Sequence, residues 1–430
     1  MSSTRRHFLA TAATALFAGP LLAVPLPELL PPPRGRRVVI VGGGWGGLAA
    51  ARHLRETAPE LEVVLLERNG AFHMAPLGNK WLVGLAEDAA VVHDYRRAAG
   101  AFGYTFVQAA VEAIERDRRR IVTAQGSLAY DWLILAAGIR YDYSTWYGDD
   151  RDAIAHTLRH YPCAFVTGGE LPALKKKLAT FAGGDLLMTI PPAPYRCPPA
   201  PFERACLIAW QLQQRGVRGR VIVLDAGPGV LGFPRIFAEH FAERIVYRPN
   251  VRVTRVDPYA RIVATEFEEF RFDDAILMPP QQAADIVWQA GLIGRDEAGK
   301  PTGWADPHPV LLTARDDERV LLIGDLMGRV SPLFGHYTKT GQTAAGLGRI
   351  AAAVVAARAR GREPERRVPD SVCHVVSRVE PRELIRVETQ YRLRDGDLIS
   401  QTSRQTHDPQ PRDEDGMWAR TMLRDMLGLG

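Results

Sequence analysis

Residues Arg36 to Glu67, RRVVIVGGGWGGLAAARHLRETAPELEVVLLE, constrain the fold more than any other stretch. A basic pair opens an apolar run, Val38 to Val41, which breaks into Gly42, Gly43, Gly44, Trp45, Gly46 and Gly47. An alanine-rich helical pattern and a second apolar run ending at Glu67 follow. The order is strand, glycine turn, helix, strand. In such a unit Gly42 permits the tight turn, Gly44 lets backbone approach a pyrophosphate, and Gly47 lets the helix pack close to the strand. The free N–H groups of the first helical turn then face the phosphates. Glu67, about 20 residues beyond the last glycine, stands where an acidic side chain accepts hydrogen bonds from a ribose diol. A glycine motif alone is weak evidence; between two strands and with its terminal acid it predicts a bound dinucleotide.

The chain has 430 residues, and at about 150 residues per domain this suggests two or three domains. Net charge is +5, but the arginines are scattered and no basic run alternates with aromatics. That pattern argues against nucleic acid and suits an anionic small substrate or an acidic partner. Cys163, Cys197, Cys206 and Cys373 show no metal-ligand spacing, so no structural metal is expected. In an oxidising compartment they allow three full disulfide pairings, and the sequence does not choose among them.

Residues 1–33 read as an export signal and linker: Arg5 and Arg6 precede Phe8, Leu9 and a short alanine-diluted apolar run, then a proline-rich segment, Pro25 to Pro33. The order resembles a twin-arginine signal, which implies a periplasmic protein exported already folded. The segment Asn69 to Gly84 is too irregular for a helix or strand and is placed to lie over a bound cofactor. Tyr104 to Val107, Val111 to Ile114 and Arg120 to Val122 are expected to form a three-stranded crossover sheet, followed by the YDWLILAAG run ending at Gly138.

A second strand–turn–helix–strand unit is predicted from Asp185–Ile190, Phe202–Gly216 and Arg220–Asp225. Its turn, PPAPYRCPPAP from Pro191 to Pro201, has no glycine and many residues without an N–H, so a pyrophosphate has nothing to sit on. This unit is therefore expected to keep a nicotinamide-domain fold without the nicotinamide site. Phe272 to Met278 reads as its last strand. RVLLIGD, ending at Gly324 and Asp325, leads to a helix expected over Thr338 to Ala357. After a charged linker, Gly361 to Arg367, strands are expected at Val372–Arg378, Leu384–Leu393 and Asp397–Gln401. A helix over Glu414 to Leu427 carries many charges and no clean apolar face, which speaks against stable membrane insertion.

These features in this order resemble the flavoprotein subunit of flavocytochrome c sulfide dehydrogenase, a relative of sulfide:quinone oxidoreductases. The resemblance rests on VVIVGGGWGGLAAA, the ERN and LGN segments around Glu67, Arg68 and Asn79, YRCPPAPFERA at Tyr195 to Ala205, Gly303–Trp304, Gly324–Asp325 and Lys339 to Gly341. It implies an α/β fold: two dinucleotide-binding, Rossmann-like domains plus a small α+β C-terminal domain. The corresponding boundaries are 36–145 with 296–358 for FAD, 150–285 for the second Rossmann-like domain, and 362–430 for the last. It also implies oxidation of a small, reduced sulfur donor at FAD and delivery of electrons to a c-type cytochrome. The cofactor-binding residues it implies are Gly42, Gly44, Gly47, Glu67, Arg68, Asn79, Gly138, Gly324, Asp325 and Lys339. Asp325 would reach the ribityl hydroxyls, with the following helix N-terminus toward the isoalloxazine.

Three departures follow. The position whose cysteine tethers flavin in the family is Ala75 here, so FAD is expected to be noncovalent. The family's redox cysteine pair is matched at Cys197, but its second position, on the helix after Gly324–Asp325, falls near Ala351, and no cysteine lies between Cys206 and Cys373. His336 and Tyr337 are added near the presumed flavin face, and His336 is a candidate proton carrier. Cys197 is a candidate redox thiol, with Arg196 and Arg204 expected to lower its pKa; Cys163, Cys206 and Cys373 read as structural. The missing second cysteine leaves two alternatives open: a flavin dehydrogenase with a non-sulfur donor, and a flavin-binding electron-transfer partner with little activity of its own.

Overall fold

The computed structural model describes residues 26–166 and 168–429; the twin-arginine segment lies outside them. The opening strand, Arg37–Val41, is buried along its whole length, as an apolar run covered on both faces of a parallel sheet must be. It is the middle of five parallel strands in the order Val320–Leu322, Trp132–Leu135, Arg37–Val41, Glu62–Glu67 and Thr105–Gln108. The edge strand from residue 320 returns to this sheet after the chain has built a second unit. Helix Trp45–Thr57 packs against helix Gly341–Ala359. Gly348 sets the closeness of that crossing, since a Cβ there would lie 2.2 Å from the Gly46 carbonyl oxygen.

The second unit is a four-stranded parallel sheet, ordered Ile245–Arg248, Gly219–Asp225, Gly184–Ile190 and Asp274–Ile276. Helix Ala200–Gln214 crosses between its two central strands. Each parallel sheet carries a small antiparallel one: Val111–Glu115, Arg120–Thr123 and Gly126–Ala129 on the first, and Val253–Asp257, Ile262–Thr265 and Glu269–Arg271 on the second. A three-stranded antiparallel sheet, Asp370–Arg378, Glu383–Leu393 and Ile399–Asp408, and helix Glu414–Leu427 complete the chain. The α/β architecture of two Rossmann-like units and a C-terminal sheet is thus present.

Four local expectations are corrected. Asn69 to Gly84 is not irregular: it forms strand Ala71–His73 and helix Ala75–Leu82. Pro76 sits in the helix's first turn, where its missing N–H costs nothing. Tyr104 to Val107 does not join the crossover sheet; the strand Thr105–Gln108 extends the parallel sheet, and Gly126–Ala129 supplies the third crossover strand. The helix expected from Thr338 begins at Gly341, because Thr340 caps it and its side chain accepts the Thr343 N–H. Helix Glu414–Leu427 does have an apolar stripe, Ala419, Met422, Leu423 and Met426, and it is buried against the protein. Among the described residues no helix is long and apolar enough to cross a membrane.

Candidate active site

Two adjoining spaces lie between these units. The larger is a groove of about 620 Å³ along the ends of the first sheet, lined by Gly42, Gly44, Glu67, Arg68, Gly138, Gly324 and Asp325 among others. That volume is within the range of ordinary ligand sites. Gly42 has φ +104° and a Cβ there would stand 2.4 Å from the Ala136 carbonyl oxygen, while a Cβ on Gly47 would stand 1.9 Å from that of Gly42. A Cβ on Gly44, by contrast, would meet nothing within 4 Å, so that glycine borders open groove. The Glu67 carboxylate accepts the Gly43 N–H at 2.8 Å and the Asn69 N–H at 2.9 Å, which fixes it at the groove's rim.

Asp325 sits in a short 3₁₀ turn at the groove's other end. One of its oxygens pairs with Arg196 Nε at 3.0 Å, and the other, Oδ1, is buried with no partner among the described residues. A buried carboxylate oxygen lacking a donor is costly, and a ligand hydroxyl would satisfy it.

The smaller space, about 100 Å³, adjoins the groove through Trp45, Arg196 and Gly341, which line both. It is too small for a nucleotide and suits a donor of a few atoms. Cys197 and Cys373 both line it. They are close enough that the Cys197 charge contributes to raising the Cys373 thiol, after burial. Ala351 is wholly buried in its helix, whereas Cys373 reaches the cavity beside Cys197 from strand Asp370–Arg378. Its signal was absent from local sequence, because the C-terminal strand meets the proline turn only in three dimensions.

Cys197 is held in the left-handed region at φ 52°, a strained conformation for a side-chain-bearing residue and one that clusters at functional sites. Its N–H donates to the Lys339 carbonyl at 2.7 Å. The nearby arginines do not win: burial first, then the charge of Glu203, pushes the Cys197 thiol up to about 12, with Arg196 opposing. Glu203, which the sequence reading did not single out, is buried in the same cavity. Its carboxyl accepts from Asn79 Nδ2 at 2.7 Å and from the Val376 N–H at 2.8 Å, and burial raises its pKa.

Of the expected cofactor-binding residues, Asn79 and Lys339 line the thiol cavity instead of the groove, and Gly47 packs beneath the turn. Lys339 Nζ donates to the Asp325 and Met327 carbonyls, both at 2.7 Å, and lies 3.9 Å over the Trp304 ring. Burial lowers its pKa to about 7. His336 lines neither space. Burial and then Lys339 lower it to about 4, so it is neutral near pH 7.

Of the five N–H groups in the second unit's turn, three are already bonded within the protein. The Arg196 N–H goes to Gln281 Oε1 at 2.8 Å, that of Cys197 to Lys339, and that of Ala200 to the Cys197 carbonyl at 2.9 Å.

Fold and site define a protein of two dinucleotide-type units with a nucleotide-sized groove beside a small thiol cavity, and comparison with known proteins gives the particular kinship. Residues 36–163 match the family described as pyridine nucleotide-disulphide oxidoreductase. Residues 172–279 match the central part of the sulfide dehydrogenase (flavocytochrome c) flavoprotein chain. A sulfide-quinone reductase of Aquifex aeolicus (strain VF5) is 24% identical over 262 residues, 57% of this chain and 59% of that one; the match therefore spans less than two thirds of the relative. Among solved structures, the sulfide:quinone oxidoreductase of Aquifex aeolicus superposes with TM-score 0.71 at 18% identity, covering 92% of each chain. The putidaredoxin reductase–putidaredoxin complex superposes with TM-score 0.62 at 17% identity, covering 90% of this chain and 93% of that one. Its first unit is thus similar to the pyridine nucleotide-disulphide oxidoreductases, its second to the sulfide dehydrogenase flavoprotein, and the chain is similar at low identity to a sulfide-quinone reductase. That kinship implies a flavin, and the groove fits one: open space beside Gly44, a carboxylate at one end and a donor-starved Asp325 oxygen at the other.

Proposed function

We propose that the protein oxidises a small reduced-sulfur donor, with Cys197 and Cys373 as its redox pair, and passes the electrons to a c-type cytochrome. The observation that carries this reading is the meeting of two cysteines from distant parts of the chain in one small cavity against the flavin groove. Gly42, Gly44, Glu67, Arg68, Gly138, Gly324 and Asp325 would hold FAD, and with Ala75 at the family's tethering position the hold is noncovalent. When bound, the flavin supplies a two-electron acceptor beside the cavity.

The protein's own part is thiol chemistry. Hydrosulfide attacks one sulfur of a Cys197–Cys373 disulfide; the S–S bond breaks, one cysteine leaves as thiolate and the other carries the persulfide. Glu203, with its raised pKa, is placed to take up and return the proton. A second hydrosulfide takes the outer sulfur as a disulfide anion and leaves both cysteines reduced; their re-oxidation to the disulfide gives up two electrons, so two hydrosulfides yield one HS2−, one proton and two electrons. We also propose export to the periplasm through the segment holding Arg5 and Arg6, where a cytochrome acceptor would be met.

Anaerobic titration with sulfide tests the reading. The yellow holoprotein is expected to bleach, and Cys197→Ser and Cys373→Ser are each expected to slow bleaching about 100-fold or more. Equal bleaching in all three would refute the pair. Acid precipitation is expected to leave flavin in the supernatant.

A further inference from the structure

The cavity's charge goes beyond what a neutral donor needs. Arg204, on helix Ala200–Gln214, is 4% exposed and lines the thiol cavity. Its Nε donates to Asn79 Oδ1 at 2.9 Å, its Nη1 donates to the Cys163 carbonyl, and the guanidinium lies 4.7 Å from the Phe165 ring centroid. A guanidinium has five N–H donors, and among the described residues no acceptor takes the other three and no carboxylate lies within ion-pair distance. The adjacent acid, Glu203, spends one oxygen on Asn79 and the other on the Val376 N–H. Arg196 and Lys339 add two further basic side chains to the same wall, and Glu203 is its single carboxyl. Arg196 is neutralised by Asp325, whereas Arg204 is not neutralised by any direct partner.

Glu203 and Glu170 act on Arg204 only through space; a buried guanidinium with no carboxylate bonded to it is expensive, and a bound anion lowers that cost. We propose that the thiol cavity selects its donor as an anion, a hydrosulfide or a short sulfur-chain anion and not a neutral thiol, and that Arg204 is the residue that holds it. This rests on the thiol reading of the cavity and adds the charge state of the donor and the side chain that sets it. Asn79 becomes a positioning residue, since it accepts from Arg204 and donates to Glu203 and so keeps acid and guanidinium apart.

The test uses two alkylating probes of nearly equal size, anionic iodoacetate and neutral iodoacetamide, on the reduced holoprotein at pH 9, with labelling of Cys197 and Cys373 followed by peptide mass spectrometry. The iodoacetate-to-iodoacetamide rate ratio at these thiols is expected to exceed that of free glutathione by about tenfold, the scale on which a focused charge concentrates counter-ions. Arg204→Gln is expected to bring the ratio down to the glutathione value, and Arg204→Lys to keep most of it. A wild-type ratio equal to glutathione's overturns the proposal whether or not any variant folds, and so does a ratio unmoved in Arg204→Gln with flavin still bound. Labelling needs no turnover, so the two readings separate: a high ratio in a protein that sulfide never bleaches sinks the donor and leaves the anion site standing.

Discussion

The chain builds the strand–turn–helix unit twice and finishes the turn in opposite ways. From Gly42 to Gly44 the turn is bare backbone, with a positive φ at Gly42 and open groove at Gly44, and Gly47 presses the following helix against the strand. From Pro191 to Pro201 the same topological position is filled with prolines, and the N–H groups of Arg196, Cys197 and Ala200 are already bonded within the protein. One turn is shaped to receive phosphate. The other is a rigid mount that presents a cysteine in the left-handed region to the small cavity beside the first unit's groove. A phosphate-binding turn needs free donors and room; remove both and the unit becomes scaffolding for different chemistry.

The largest effect should come from the glycine turn. Gly47→Val would place side-chain atoms against the Gly42 carbonyl, and it is expected to cost about 1–3 kcal/mol of stability and to yield protein without bound flavin. Thermal unfolding and the visible spectrum check this, and a yellow variant of wild-type stability would break the comparison. Next is the proline turn: NADH is expected to bleach the flavin about 100-fold or more slower than sulfide under the same stopped-flow conditions. Rapid bleaching by NADH would mean that the second unit keeps its nucleotide site.

A third prediction sharpens the chemistry of the mount. The Cys197 thiol is pushed up to about 12. Below that value the thiolate is a minority species whose fraction grows with pH, so iodoacetamide labelling of Cys197 should rise about tenfold per pH unit from 7 to 10. A plateau near pH 8 would show that the arginines, not burial and Glu203, set its ionisation. The smallest effect is expected at His336, which lines neither space; His336→Asn should leave kcat and KM for sulfide within about twofold.

Much of this was legible in the sequence because it is local. The glycine turn, the proline turn, Glu67 and the Gly324–Asp325 pair announce themselves through conformational demands met within a few residues. Helix Ala75–Leu82 was missed because Pro76 and Gly78 look like helix breakers, although a first-turn proline is harmless. Cys373 and Glu203 were missed for a different reason. Cys373 looks like any apolar strand residue, and Glu203 like a charge on a helix, until the C-terminal sheet folds over helix Ala200–Gln214 and closes the cavity around both. His336 is near Asp325 in sequence, yet on the short strand Gly335–His336 it lines neither space.

The most direct test of the account is to oxidise the purified holoprotein mildly, block remaining thiols, and map linked peptides by mass spectrometry without reduction. A single Cys197–Cys373 link, with Cys163 and Cys206 recovered as free thiols, is the expected result. Recovery of Cys197 and Cys373 both unlinked after oxidation, in protein that sulfide still bleaches, would contradict the pair and with it the role assigned to the cavity.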